Sequence, residues 1–284
     1  MARTLPSVNG IVLSHLEYDL LWADLGLGPQ PYPLEVRSHG YTMDERDALG
    51  GQVFDGLAEA GLVDEDDRVD PRVDELLDSL ARPVVSVDAL VVGEIPLRML
   101  AAAGKRRGVL ATLDDDELAL RPMWPDELVD VVAGVVGDCD PGPGEPVRLP
   151  RETYSEAMRA FADKGYPAFE RTLARAGITG RATRALSTMV DSPRYVSGQL
   201  AANGPAGRSP VVSWFDTGAG RYGATVQDVA GTRWVTVTPA NGHWLVNRVE
   251  ELLHRVGETG TPGTSGASED YESSTWSVFE KGER

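Results

Sequence analysis

Residues Val84–Arg121 read VVSVDALVVGEIPLRMLAAAGKRRGVLATLDDDELALR. Four apolar runs follow one another there, Val84–Val92, Leu97–Ala103, Val109–Leu113 and Glu117–Arg121. Their length and composition predict strands, with Asp114-Asp115-Asp116 as a hairpin turn. Four strands in succession on short connections make an antiparallel meander. Upstream the pattern is helical. Val12–Leu25 carries Leu13, Leu16, Leu20 and Leu21 at helical spacing and stops before Gly26. Thr42-Met43-Asp44-Glu45 is a capping-box pattern that opens a helix to about Leu62. Asp70-Pro71 opens a third, to about Ala81. Downstream, Trp124-Pro125-Asp126 leads into a helix ending near Val136, and the Pro/Gly-rich Gly137–Pro146 reads as a link.

The remainder repeats this plan. Pro150–Ala162, Pro167–Ala176 and Arg181–Val190 predict helices, followed by strands at about Arg194–Ala201, Val211–Phe215, Tyr222–Gln227 and Arg233–Thr238, then a helix over Gly242–Val256. Short words recur in order. Pro83-Val84-Val85-Ser86 matches Pro210-Val211-Val212-Ser213, Ala111-Thr112-Leu113 matches Ala224-Thr225-Val226, and Pro122 matches Pro239. The apolar set Leu128, Val129, Val132, Val136 falls on Leu245, Val246, Val249, Leu253. The expected fold is therefore α/β (α+β). Two similar halves, about residues 1–137 and 147–257, would form one domain in a quasi-two-fold arrangement around a central antiparallel β-sheet flanked by helices. Residues 258–284, rich in Gly, Ser, Thr and acid, predict a disordered tail.

Composition narrows the function. Over 284 residues the chain carries 44 acidic residues against 27 Lys/Arg, a formal net charge of −17. Such a surface repels phosphate backbones and anionic lipid heads, which argues against nucleic acid and membrane as partners. Cys139 is the only cysteine, so no intrachain disulfide forms. The first residues show no basic-then-apolar leader and no run reaches 18 apolar residues, so a cytosolic protein is expected.

Two catalytic signatures overlap in VVSWFDTGAGRYGATV, Val211–Val226. Asp216-Thr217-Gly218 spells the aspartic-protease tripeptide, and Gly218–Gly223 fits G-x-G-x-x-G. An aspartic protease needs two carboxylates sharing a proton. The duplication offers Val87–Val91 as the counterpart, where Asp88 lacks the following Thr/Ser-Gly. A dinucleotide site needs a helix after the glycines, and Arg221–Gln227 is β-like. The stretch reads better as a hairpin connection. His243 and His254 lie eleven residues apart on one helix, not at zinc-site spacing, and neither His15 nor His39 joins a nucleophile motif. Asp64–Asp67 reads as a solvated loop. No catalytic constellation, cofactor or metal site emerges; an acid hydrolase using Asp216, or a general adaptor acting through the tail, are the alternatives to a non-enzymatic binding protein.

The run LEYDLLWADLGLG-x-x-PYPLEVRSHGYT-x-x-ER, Leu16–Arg46, resembles the EspG family of secretion-associated proteins. So do LARPVVSVD (Leu80–Asp88), RRGVLATLDDDELALRP (Arg106–Pro122) and VSWFDT-x-x-GRY (Val212–Tyr222). The resemblance spans about Leu13–Val256. It implies a cytosolic chaperone of type VII (ESX) secretion that binds the apolar tip of a PE–PPE-like heterodimer in a 1:1:1 complex, keeps it soluble and directs it to secretion. The partner surface it implies combines the loop Val92–Leu97, with Val92, Ile95 and Leu97, and the bundle edge Ser187–Gln199, with Met189, Val190 and Tyr195. An empty apolar surface of that kind also implies a weak tendency of the free chain to form a homodimer.

Overall fold

The computed structural model describes residues 10–257 apart from 65 and 67. The expected tail at 258–284 lies outside the described residues. The chain opens with strand β1 (Ile11–Ser14) and helix α1 (His15–Asp24). The helix expected from Val12 thus starts three residues later. Ser14 is its N-cap: its side chain accepts from the Glu17 N–H at 3.2 Å, and the Glu17 carboxylate accepts from the Ser14 N–H at 2.6 Å. Ile11 and Leu13 instead point into the core from an edge strand, with Val12 facing out.

Helices α2 (Met43–Glu59) and α3 (Pro71–Ala81) follow, capped by Thr42 and Asp70. Then come β2 (Val85–Val92), β3 (Leu97–Ala103), β4 (Gly108–Leu113), β5 (Glu117–Met123) and α4 (Leu128–Val136). The second series is β6 (Val147–Pro150), α5 (Arg151–Lys164), α6 (Tyr166–Arg175), α7 (Arg181–Asp191), β7 (Arg194–Gly204), the two-residue β8 (Gly207–Arg208), β9 (Val212–Thr217), β10 (Gly220–Val229), β11 (Thr232–Pro239) and α8 (Gly242–Gly257).

All named strands join one antiparallel sheet in the order β1-β5-β4-β3-β2-β7-β9-β10-β11-β6, with β8 folded back on β7. Read outward from the centre, the order is the same in both directions. The quasi-two-fold axis passes between β2 and β7, which pair with Ala89 opposite Leu200. In this register Ala111 and Ala224 are equivalent, and so are Pro122 and Pro239, which sit at the ends of their strands opposite Val109 and Tyr222. The match of Pro83–Ser86 with Pro210–Ser213 does not survive, because it sets β2 on β9 whereas β2 corresponds to β7. A proline followed by a short apolar run opens many strands; strand pairing decides which two are equivalent. The position equivalent to Asp216 is accordingly Ala103, not a residue of Val87–Val91.

Side-chain alternation divides the sheet into two faces. On one, Val87, Ala89, Ala101, Leu200, Ala202 and Trp214 pack under α4 and α8. On the other, Leu100, Ala111 and Leu120 pack under α1–α3, while Phe215, Tyr222 and Val237 pack under α5–α7. The two three-helix layers cover the outer strands of that face, leaving a trough floored by the central pair β2 and β7.

Candidate partner-binding surface

The trough face of β2 carries Ser86, Asp88, Leu90 and Val92, directly opposite Asn203, Ala201, Gln199 and Ser197 of β7. Its lower half is filled by the chain itself. Asp88, 2% exposed, accepts from Arg208 Nη1 at 2.6 Å, Arg208 Nη2 at 2.8 Å and Asn203 Nδ2 at 2.8 Å. A buried carboxylate held by a bidentate guanidinium is a charge satisfied in place. Arg208 lies over the Tyr32 ring at 5.5 Å, and Arg98 donates to the Pro33 and Glu35 carbonyls at 3.3 and 2.7 Å. These contacts lay the proline-rich connector across the sheet.

The upper half, where β2 leaves the sheet and β7 enters it, is open. There Leu90 and Gln199 are half-buried, and Val92 is 45%, Ile95 60% and Tyr195 64% exposed. Gly93 lies beside the second segment: a Cβ at this position would be in ordinary contact with Val196 Cγ2 at 3.4 Å and the Tyr195 carbonyl at 3.5 Å. Three expected contact residues from segments a hundred positions apart thus meet at one end of the central strand pair. The other three differ. Leu97 is half-buried at the start of β3, and Val190 is half-buried against the α5–α7 core. Met189 corrects the expectation outright. At 1% exposure it sits in that core with Leu186 and Phe169, because the helical repeat of α7 turns it inward.

The turn bearing Asp216-Thr217-Gly218 buttresses this surface. The Gly218 N–H donates to the Pro193 carbonyl at 2.8 Å, and a Cβ at Gly218 would lie 3.5 Å from the Tyr195 hydroxyl. Thr217 Oγ1 closes the turn on the Gly220 carbonyl at 2.8 Å. Gly220, at φ 116°, leaves no space for a side chain beside the Asp140 carbonyl and Gly142 N, and Gly223 is covered by the Trp244 ring. The glycines serve a hairpin and close packing, and strand β10, which begins at Gly220, runs through the last two where a dinucleotide site would need a helix. Both Asp216 oxygens accept from Arg221, Oδ1 from Nε at 2.6 Å and Oδ2 from Nη2 at 2.8 Å.

The sequence profile of the EspG family matches residues 14–251. The chain belongs to the EspG family. The solved structure of the Mycobacterium tuberculosis type VII secretion system chaperone EspG5 in complex with the PE25–PPE41 dimer shares its fold, with a TM-score of 0.67 and 18% sequence identity over 87% of this chain and 96% of that one. No curated protein sequence matches.

Sequence reading missed the buried polar pairs that shape this EspG chain. Asp88 and Arg208 lie 120 positions apart, and only β2–β7 pairing brings them together. Asp19 is a second case. Its carboxylate accepts from the His39 N–H at 2.8 Å and from Arg46 Nη1 at 2.9 Å. Burial opposes ionisation of Asp19, yet these bonds and the Arg46 charge hold its pKa below the ordinary value. A hint was available: Asp19, His39 and Arg46 all fall inside the Leu16–Arg46 block that carries the family resemblance. His15 reaches the Asp114 carbonyl at 3.0 Å, while His243 and His254 are exposed on α8.

Proposed function

We propose that this chain is a cytosolic chaperone of type VII secretion that captures a PE–PPE-like heterodimer at the open end of its central strand pair. The observation that carries the reading is the convergence of Val92, Ile95 and Tyr195, exposed apolar side chains from two segments, on the rim of a trough walled by helices. Exposed apolar groups gathered at a groove mark a protein-binding site, and a helical bundle with an apolar tip fits such a groove. Family membership and the shared fold with EspG5, whose solved structure holds a PE–PPE dimer, support the same partner class.

The chain acts by covering the apolar tip of its partner, which suppresses self-association of the heterodimer, and carries out no turnover. Bidentate pairing with Arg221 commits the Asp216 carboxylate to a structural bond. Among the described residues no helix is long and apolar enough to cross a membrane, in keeping with a cytosolic site of action. Co-expression with PE–PPE-like pairs from the same genome, followed by size-exclusion chromatography with light scattering, tests the reading. One pair entering a discrete 1:1:1 species is the expected result; separate elution of every pair overturns it.

A further inference from the structure

The two three-helix layers that wall the trough hold equivalent places in the fold, yet their charge is opposite. Residues 15–82, which build α1–α3, contain 17 acidic residues against five arginines. Four of those arginines pair within the layer, Arg46 with Asp19, Arg68 with Asp66, Arg72 with Asp70 and Arg82 with Asp78. The surplus is therefore carboxylate, with Asp24, Asp47, Asp55 and Glu59 all exposed. Residues 151–191, which build α5–α7, contain six arginines and one lysine against five carboxylates, a small cationic surplus, with Arg159, Lys164, Arg171, Arg175, Arg181 and Arg184 exposed beside those carboxylates. In a chain of net charge −17 this is a local reversal of sign.

We infer that the heterodimer is electrostatically polarised, presenting a basic flank to α1–α3 and an acidic flank to α5–α7. This inference rests on the chaperone reading above and deepens it. Three apolar side chains at the rim fix where a partner tip sits but leave its rotation about that contact open. Walls of opposite sign remove the freedom, since the wrong rotation sets like charges against each other on both sides at once. The same field guides the encounter, so its effect falls mainly on the association rate and weakens as salt screens it.

The probe is the PE–PPE-like pair that co-elutes with the wild-type chain, its association followed by stopped flow at low and high salt. Asp55→Lys/Glu59→Lys reverses two charges on the acidic wall and Arg171→Glu/Arg175→Glu two on the basic wall. Asp130→Lys/Glu250→Lys makes the same change in net charge as the first on the far face, on α4 and α8. Each wall variant lowers the low-salt association rate about tenfold, and the deficit closes at roughly 0.5 M salt, where screening acts within a few Å. The far-face control stays within about twofold of wild type, as a change in net charge alone has no orienting effect. Thermal melts confirm that all three variants fold. A control that falls as far as the wall variants overturns the inference, as does a fall confined to one wall, or none at any salt. Failure of the wild type to bind any pair overturns the chaperone reading itself, and this inference with it.

Discussion

Arg221 and Asp216 form a bidentate pair that ties the two halves together. Arg221 has no exposed surface, and besides Asp216 it donates from Nη1 to the Gly137 carbonyl at 2.8 Å and from Nη2 to the Val136 carbonyl at 3.3 Å. A strand of the second half thereby caps the C-terminus of α4 from the first, where unsatisfied carbonyls and the helix dipole favour a cation. The aspartate that looks catalytic in sequence is the counter-ion of that cap.

Removing the guanidinium leaves Asp216 and two carbonyls without their donor. Arg221→Met is expected to lower stability by about 3–5 kcal/mol, the usual result of stripping one partner from a buried pair. Arg221→Met/Asp216→Leu recovers part of that loss, because no orphaned charge remains. Urea unfolding of both variants checks this. A double variant no more stable than the single one shows that the carbonyl cap, and not the ion pair, is what matters.

Gly198 makes room for a tryptophan. It faces Trp214 across β7 and β9, and a Cβ there would lie 2.1 Å from Trp214 Cη2 and 2.7 Å from the Leu90 carbonyl. Trp214 is fully buried under α8, so neither neighbour moves easily. Gly198→Ala is expected to cost about 2–3 kcal/mol, as overpacking does. Gly56→Ala, at an exposed position of α2 with nothing within 4 Å, is expected to stabilise by about 0.5–1 kcal/mol. Calorimetric melts of the pair read out opposite shifts.

Much of this fold could be read from local pattern, and the exceptions share a cause. Strands β2–β5 and helices α3–α8 fall close to where periodicity and caps place them. β1 was absorbed into a helix, although Ser14-His15-Leu16-Glu17 already spelled the capping box that fixes the true start. β6 was lost between a link and a helix, because four residues become a strand only by pairing with β11. The equivalence of β2 with β7, the buried pairs of Asp88 and Asp216, and the inward turn of Met189 all depend on contacts distant in sequence. Ile95 and Tyr195 come from segments that only the family resemblance points to; that they share one rim follows from the β2–β7 register.

Asp19 gives the stability a distinct dependence on acid. Its pKa is lowered in the folded chain, so its contribution is fully present above the unfolded-state value and is lost as pH falls through the folded one. Below about pH 4, where an unfolded aspartate titrates, the native state therefore loses stability that Asp19 supplied. Asp19→Asn is expected to be less stable at neutral pH and to show a shallower decline from there downward. Equal slopes for variant and wild type in denaturant titrations at several pH values assign the acid sensitivity elsewhere.

The proposed partner surface separates contact from core in a way that mutation can read. Ile95 and Tyr195 are more than half exposed, so Ile95→Asp and Tyr195→Ala leave the melting temperature close to wild type. If they anchor the heterodimer, each weakens its binding about 30-fold or more, the size of a loss at an interface hot spot. Met189 lies one helical turn from Leu186 in the α5–α7 core, so Met189→Ala opens a cavity and costs about 2–4 kcal/mol of stability. Its binding, measured where it is still folded, stays near wild type. Isothermal titration alongside thermal melts distinguishes the two classes. Binding lost in Met189→Ala but kept in the two rim variants moves the contact off the β2–β7 rim and onto the helical layer, with α7 turning to expose its inner face.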